Sequence, residues 1–216
     1  VLGHADGICH LYIDREADPL MAVDLALDGK CQYVAVCNAI ETILVHEQIV
    51  PRVLEPLAKA LMENKVKILG CPETCSLIPV EPALEQDWNT EYLDYVVSIR
   101  VVSSMDQALD HINQYGSGHT DVIVTRDKER AVRFMDMADT ADAFWNSSSR
   151  FADGFRFGLG AEVGISTNKI HARGPVGLEG LMTTQWRLMG DGHCVADYSG
   201  EKGRSFIHKP LDKNFQ

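Results

Sequence analysis

Short apolar runs alternate with amphipathic stretches along the first two thirds of the chain. The apolar runs have the length and alternation that predict β-strands, at residues 8–13, 42–46, 65–69, 95–102, 121–125 and 143–146. Between them, apolar residues recur at helical spacing, which predicts helices over 18–29, 50–61, 104–116 and 127–138. This alternation is typical of an α/β fold, in which helices cover both faces of a parallel or mixed sheet.

Single residues indicate where some of these elements begin and end. Asp18 followed by Pro19 is a favourable helix start, and Gly29 is expected to end the same helix. Pro56 lacks the N–H group that a helix interior needs, so we expect it to kink or delay the second helix. Prolines and polar residues over 71–90 predict a long irregular connection.

The last third of the chain has a different pattern. Residues 147–180 are rich in glycine and show no clear periodicity. Residues 182–189 then form one long β-prone run. Because this run has no neighbouring strand in sequence, it is expected to pair with a sheet edge elsewhere.

Composition narrows the class of partner. The 216 residues carry a formal net charge of -11, which argues against nucleic acid and against an acidic membrane surface. No apolar run approaches the length that spans a bilayer. Six irregularly spaced cysteines favour reduced thiols in a cytosol over a disulfide framework. Cys71 and Cys75 form a C-x3-C pair without a second pair at zinc-finger spacing, which favours an incidental loop pair over a redox couple or a metal site.

Cys37 is the residue with the clearest chemical potential. It lies between a helix-like segment and an apolar run, in a loop braced by two elements. The residues alone leave two interpretations open, a nucleophile or a small buried hydrophobe. Gly158, Gly160 and Gly164 are spaced too widely for the dinucleotide fingerprint and lack a strand directly before them. The chain therefore shows no nucleotide-binding motif of its own.

Six short motifs occur in order along the chain: CNAxET from Cys37, TEYLDY from Thr90, YGSGH from Tyr115, NxSxRF from Asn146, GAEVGIS from Gly160 and HARGP from His171. Together they closely resemble the γ-glutamyl phosphate reductase family, also called glutamate-5-semialdehyde dehydrogenase, of the aldehyde dehydrogenase superfamily. The resemblance covers about residues 1–190. Each motif is weak alone, but their number and order make the match specific.

The resemblance implies a division of the chain. Residues 1–150 would form an aldehyde dehydrogenase-like catalytic domain with the thiol, and 151–180 an anchor loop and a return to a cofactor domain. Residues 181–216 would form an oligomerisation strand and tail. The family carries a nucleotide-binding segment ahead of the point where this chain begins, at Val1 without an initiator Met. The chain thus resembles the C-terminal half, and alone we expect it to be inactive.

The reaction implied is the NADPH-dependent reduction of L-glutamyl 5-phosphate to glutamate 5-semialdehyde and phosphate, in proline biosynthesis. NADPH would be bound mainly by the N-terminal half. The protein would be cytoplasmic and a homodimer or higher homo-oligomer, with residues 183–189 lent to the partner's sheet. Two alternatives stay open: a non-catalytic fragment or assembly module, and an oxidising aldehyde dehydrogenase.

Two residues match the family's reaction centre. Cys37 matches the catalytic cysteine, whose thiolate would attack the acyl phosphate and form a thioester. Glu91 matches a superfamily glutamate that bonds the nicotinamide ribose. Oxidising members follow that glutamate with Phe-Gly-Pro, whereas Tyr92, Leu93 and Asp94 follow it here. This departure favours the reductase branch.

Substrate contacts are expected from Asn38 and from the loop of Ser147, Ser148, Ser149 and Arg150, where the superfamily keeps its substrate-anchoring loop. The α-carboxylate of a glutamyl substrate suits the planar, bidentate guanidinium of Arg150. An arginine that only braces the loop is the alternative. Backbone N–H groups near Cys37 are expected to stabilise the oxyanion.

Overall fold

The computed structural model describes residues 6–169 and 172–209. Seven strands form one sheet: β1 (Cys9–Ile13), β2 (Ile40–His46), β3 (Lys67–Gly70), β4 (Glu81–Pro82), β5 (Val96–Val102), β6 (Thr120–Val124) and β7 (Asp142–Trp145). Their spatial order is β4-β3-β5-β2-β1-β6-β7, and every neighbouring pair is parallel. The predicted α/β fold is confirmed.

Five α-helices connect the strands: α1 (Pro19–Cys31), α2 (Val50–Glu63), α3 (Pro72–Leu77), α4 (Met105–Tyr115) and α5 (Lys128–Met137). Helices α1 and α2 pack on one face in a core that includes Leu57, and α4 and α5 pack in a second core around Phe134. Leu11 and Tyr12 of β1 belong to different cores, because successive strand residues point to opposite faces. None of these helices, within the described part of the chain, has the length and apolar content to cross a bilayer.

Side-chain caps fix where three helices begin. The Asp18 carboxylate accepts the backbone N–H groups of Leu20 and Met21, both at 3.0 Å. Ser104 caps α4 at 3.1 Å, and Asp127 caps α5. The predicted start at Asp18 is confirmed. Two of the three caps are carboxylates, which place negative charge at the positive end of the helix dipole.

The predicted end of α1 at Gly29 is wrong, and so is the predicted delay of α2 at Pro56. Helix α1 continues past Gly29 to Cys31, and a Cβ at Gly29 would lie 2.2 Å from the Ile40 side chain, so this glycine lets α1 approach β2 closely. Helix α2 is neither delayed nor interrupted at Pro56. Pro56 and Arg52 are both exposed, so the Arg52 carbonyl that loses its helical partner lies on the solvent side.

The connections contain more local structure than their sequence indicates. The irregular segment predicted over 71–90 holds α3, β4 and a 3-10 turn at Glu85–Asn89. The third strand starts at Lys67 and not at Lys65 as predicted. Lys65 has a left-handed backbone (φ 64°) in the turn after α2. The glycine-rich segment forms an antiparallel pair of β8 (Gly164–Ser166) and β9 (Gly174–Val176).

The chain divides into two compact units between Met182 and Thr183. The described part of the second unit contains one short 3-10 turn, Val195–Tyr198. The strand predicted over 182–189 is not formed in the single chain, since a β-ladder needs a partner and none of the described residues pairs with this run. Its pairing with another subunit stays a prediction.

A buried network around Asp14, directly after β1, closes the carboxyl edge of the sheet. The carboxylate accepts hydrogen bonds from Tyr12 Oη (2.9 Å), Thr125 Oγ1 (2.9 Å) and Arg130, whose Nε and Nη2 lie at 2.8 and 2.5 Å. Burial by itself would raise the pKa of Asp14, but these donors, Arg130 foremost, hold the pKa below its ordinary value. Asp14 therefore contributes stability that is lost as the pH falls through its folded pKa.

Replacement of Arg130 by Met tests the weight of this network. Because the variant leaves a buried carboxylate without its main partner, we expect the free energy of unfolding to fall by about 3–5 kcal/mol. Arg133→Met is the matched control: its pair with Asp106 is exposed, so the loss should stay within about 1 kcal/mol. Urea denaturation measures both, and equal losses would contradict the expectation. The difference between the two losses of unfolding free energy should become smaller in acid, because a protonated Asp14 no longer needs the charge of Arg130.

Candidate active site at Cys37

Cys37 lies in the turn between α1 and β2, and residues around β1 fix the backbone of that turn. A Cβ at Gly7 would lie 2.1 Å from the Cys37 carbonyl oxygen, so no larger residue fits there unless the turn moves. The Cys9 thiol donates to the same carbonyl at 3.2 Å. The nucleophile predicted from the sequence is therefore carried on a tightly held backbone.

The sheet brings Cys37 and Glu91 to the same edge. Cys37 precedes β2 and Glu91 precedes β5, and these strands are parallel neighbours with Thr42 opposite Ser98. Ligands of open α/β sheets usually bind at the carboxyl ends of the strands. Here the candidate site is at the amino ends, whereas the Asp14 network fills the space after β1 at the other end.

The environment of the half-buried Cys37 thiol favours its protonated form. Burial raises the pKa of Cys37, and the charges of Glu162 and Glu91 raise it further. A hydrogen bond with its own backbone and the charge of Arg150 act in the opposite direction. Reactivity at this thiol thus depends on the balance between two carboxylates and one guanidinium.

The other thiols have different surroundings. Cys9 and Cys71 are buried, and Cys194 is exposed in the second unit. Cys71 Sγ accepts the Val101 N–H at 3.4 Å, and Cys75 Sγ donates to a backbone carbonyl at 3.3 Å, so both sulfurs bond their own neighbourhood. Among residues 6–169 and 172–209, no group of three or more His, Cys, Asp or Glu side chains could hold a metal ion.

Asn38 and Ser149, both predicted to contact substrate, tie the Cys37 turn to the segment after β7. Asn38 Nδ2 donates to the Ala152 carbonyl at 2.9 Å, and Ser149 Oγ donates to the Asn38 carbonyl at 2.6 Å. Asn38 Oδ1 is buried and has no partner within the described residues. The two side chains therefore brace the Cys37 turn, and Asn38 Oδ1 is a buried acceptor without a partner among the described residues.

The rest of the predicted anchor loop places a guanidinium near the thiol. Ser148 is buried and its Oγ accepts the Arg150 N–H at 3.3 Å, while Ser147 is half-buried. Arg150 Nε donates to Gln32 Oε1 at 3.0 Å, and its two terminal nitrogens make no bond to the described residues. Burial and the neighbouring charge of Arg156 lower the pKa of Arg150. A cation in this state is suited to bind an anion.

Glu91 is half-buried in the segment ahead of β5, and its carboxylate makes no hydrogen bond to the described residues. Its charge reaches both Cys37 and Glu41, since it raises the pKa of each. A carboxylate with unused acceptor capacity beside the nucleophile fits the predicted contact with a ribose hydroxyl. The sequence after it departs from Phe-Gly-Pro, and Leu93 adopts a left-handed backbone (φ 53°).

Two features of the site were not foreseen from sequence. Glu162 Oε2 accepts the Gly154 N–H at 3.0 Å, and Glu162 is the charged group with the largest effect on Cys37. Burial and the neighbouring Asp153 carboxylate raise its own pKa. Its only signal in sequence was membership of the GAEVGIS motif, which does not indicate that its charge acts on the Cys37 thiol.

The second unforeseen feature is a fully buried ion pair next to the site. Lys30 Nζ lies 2.6 Å from Glu41 Oε2, and both side chains are 0% exposed. Burial raises the pKa of Glu41 to about 7, although Lys30 acts to lower it. Lys30 stands in α1 and Glu41 in β2, so the pair joins the two elements that flank Cys37.

The whole chain is similar to proteins named gamma-glutamyl phosphate reductase. It is 58% identical to the one from Pelotomaculum thermopropionicum, covering 100% of this chain and 49% of that protein. For the one from Acetivibrio thermocellus the identity is 57%, with coverages of 100% and 50%. The chain thus spans about half the length of the curated relatives it matches. No family model matches the chain.

Solved structures agree with this likeness. The crystal structure of gamma-glutamyl phosphate reductase from Thermotoga maritima superposes with a TM-score of 0.85 at 42% identity, covering 89% of this chain and 47% of that one. An engineered glycolyl-CoA reductase with bound NADP+ gives a TM-score of 0.57 at 15% identity, covering 80% and 48%. The second likeness shows the fold alone, and together they confirm the predicted aldehyde dehydrogenase-like architecture.

Glu162→Gln is expected to make Cys37 more reactive. The variant keeps an acceptor for the Gly154 N–H but removes a negative charge that opposes the thiolate, so the pKa of Cys37 should fall. Alkylation by iodoacetamide near neutral pH should then be severalfold faster, with its pH midpoint moved down. Glu129→Gln on α5 is the control. Peptide mass spectrometry resolves Cys37, with exposed Cys194 as internal reference. An unchanged or slower Cys37 rate would contradict the expectation.

Proposed function

From the homology of the whole chain to gamma-glutamyl phosphate reductases, we propose that it is the catalytic half of such an enzyme. The full-length protein would reduce L-glutamyl 5-phosphate to glutamate 5-semialdehyde and phosphate, in proline biosynthesis. The observation that carries the proposal is the braced Cys37 turn beside the free acceptor of Glu91, within a match of 58% identity. The chain alone would be inactive, and the enzyme would work in the cytoplasm.

Cys37 would act as the nucleophile. Its thiolate attacks the acyl carbon of the substrate, the C–O bond to phosphate breaks, and a thioester on Cys37 results. NADPH, when bound, supplies the hydride that converts this thioester to the aldehyde and frees the thiol. The backbone N–H groups near Cys37 would stabilise the oxyanion. Since water would hydrolyse the thioester, the half-buried setting of Cys37 supports a reductase.

The described residues fit one part of NADPH. The unused acceptor of Glu91 suits a hydroxyl of the nicotinamide ribose. The phosphates find no equivalent support among the described helices: each of α1 to α5 follows a strand of the parallel sheet and so begins at the carboxyl edge, away from Cys37 and Glu91. We therefore assign most of the NADPH contacts to the part of the full-length protein that lies outside this chain.

Arg150 would hold the α-carboxylate of the glutamyl substrate. Its two unbonded terminal nitrogens and its lowered pKa, which burial and Arg156 produce, support an anion-binding role. Ser147 would complete the contact. Asn38, Ser148 and Ser149 are buried, and their hydrogen bonds would hold the loop and the Cys37 turn in place for the substrate. An oxidising aldehyde dehydrogenase is disfavoured by the absence of Phe-Gly-Pro after Glu91.

Cys37→Ala should abolish reduction in a full-length reductase that carries this chain as its C-terminal half. We expect the rate of NADPH oxidation with L-glutamyl 5-phosphate to fall at least about 10⁴-fold, because no other group forms the thioester. Binding of NADPH, measured by calorimetry, should stay unchanged. Cys31→Ala, in the same helix-to-strand region, is the control and should keep most activity. Near-normal turnover of the Cys37 variant would refute the mechanism.

We also propose the division of the chain that the resemblance implies: residues 1–150 as the catalytic domain, 151–180 as anchor loop and return, and 181–216 as assembly element and tail. Trp186 and Leu188 in this last part are 97% and 98% exposed. Large apolar side chains that are fully exposed favour burial against another subunit.

Light scattering on the chain with and without residues 181–216 tests this assembly. We expect the intact chain to be dimeric or larger at tens of micromolar, through an interface above roughly 1,000 Å² of total buried surface. The truncated chain should be monomeric. If both are monomeric, or if the truncated chain still assembles, the C-terminal segment is not the assembly element.

A further inference from the structure

The Lys30–Glu41 pair does more than join α1 to β2, because its second carboxylate oxygen contacts the segment that carries Glu91. Glu41 Oε2 is bonded to Lys30 Nζ at 2.6 Å, while Glu41 Oε1 accepts the Leu93 N–H at 3.4 Å. Leu93 has the left-handed backbone, with φ of 53°. A leucine rarely adopts this conformation unless its surroundings hold it there.

The other member of the pair contacts the same segment. Lys30 Nζ lies 5.9 Å from the centre of the Tyr92 ring, within the range of a cation–π interaction. The Tyr92 hydroxyl is fixed in turn by Ser98 Oγ at 2.8 Å and by the Asp87 carboxylate at 3.2 Å. The two residues that directly follow Glu91 are therefore held by a buried cation, a buried carboxylate and the start of β5.

A buried pair of this kind is weak evidence for a gain in stability. Burial of two charges carries a desolvation penalty, and apolar replacement of buried pairs is often neutral or stabilising. We infer that Glu41, paired with Lys30, is a positioning residue for Glu91: its second carboxylate oxygen fixes the backbone at Leu93, which holds the Glu91 carboxylate beside Cys37 where a ribose hydroxyl can reach it. This inference rests on the cofactor contact proposed above for Glu91.

A pair of double variants isolates the contact with Leu93. Lys30→Met with Glu41→Leu removes both charges and the acceptor, whereas Lys30→Met with Glu41→Gln removes both charges but keeps an acceptor oxygen. In the 216-residue chain, amide exchange followed by NMR should show Leu93 protected in the unmodified and Gln forms. In the Leu form it should exchange at least about tenfold faster.

The functional arm uses the full-length protein that contains this chain. Calorimetry should give about tenfold weaker NADPH binding for the Leu form, the weight of about one hydrogen bond, and near-normal binding for the Gln form. When Glu91→Ala is already present, the Lys30→Met, Glu41→Leu changes should weaken NADPH binding no further, since both sets of changes act on the contact between Glu91 and the ribose. A role confined to stability would instead lower the melting temperature and leave NADPH binding alone.

Three results would overturn the inference: equal Leu93 exchange in both double variants, unchanged NADPH binding in the Leu form, or a loss that adds fully to that of Glu91→Ala. The proposed function fails by a separate result. If the unmodified full-length protein binds NADPH but does not reduce L-glutamyl 5-phosphate, the reaction is wrong, while the exchange and binding measurements still decide the role of Glu41.

Discussion

Parallel pairing of β2 with β5 places the starts of two strands, far apart in sequence, side by side at one edge of the sheet. Parallel neighbours require a crossover, and here it runs through α2, β3 and α3 before β5 inserts between β3 and β2. An antiparallel arrangement would put Cys37 and Glu91 at opposite edges. The proximity of the Cys37 thiol and the Glu91 carboxylate therefore depends on the whole crossover and not on the two loops alone.

The strands and helices follow local patterns, so sequence predicts most of them. The errors arise where tertiary packing decides. A glycine is typical of a helix end, but Gly29 lies inside α1, where it allows the helix to approach Ile40 closely. Pro56 is exposed, so the N–H that it lacks leaves no buried carbonyl without a partner. The β-prone run over 182–189 has the right residues, yet strand formation needs a partner, which no local pattern supplies.

The candidate site divides in the same way. Cys37 could be predicted because its position and its motif are visible in sequence. Glu162 could not, since its effect on the thiol depends on the path of the segment that returns past Ala152 and Gly154. Lys30 and Glu41 lie on separate elements, and only the packing of α1 on β2 makes them a pair. Sequence analysis identifies residues that belong to a recognisable motif, whereas charged residues that act on one another through space can be identified only once the fold is known.

Buried carboxylates at the two edges of the sheet have opposite electrostatic character. Asp14 at the carboxyl edge is saturated with donors, which hold its pKa low. At the amino edge, burial outweighs the donors of Glu41, and partial burial together with the Asp153 carboxylate outweighs those of the half-buried Glu162, so the pKa of each is raised. Perturbed groups that gather around a thiol are typical of functional sites. The carboxyl edge, where donors satisfy Asp14, thus has a structural role, whereas the amino edge, where the carboxylates are less well satisfied, has the character of a reactive site.

The close approach of Gly7 to the Cys37 backbone has a consequence for the lifetime of the thiol. Catalytic turns on flexible loops open by local fluctuation, which exposes them to oxidants at a rate set by the loop. This turn is held from one side by Gly7 and Cys9 and from the other by Ser149. Since the thiol is already partly exposed in the folded chain, oxidants reach it without any opening of this turn, and its chemical ageing depends on how much of the sulfur is thiolate and not on loop motion.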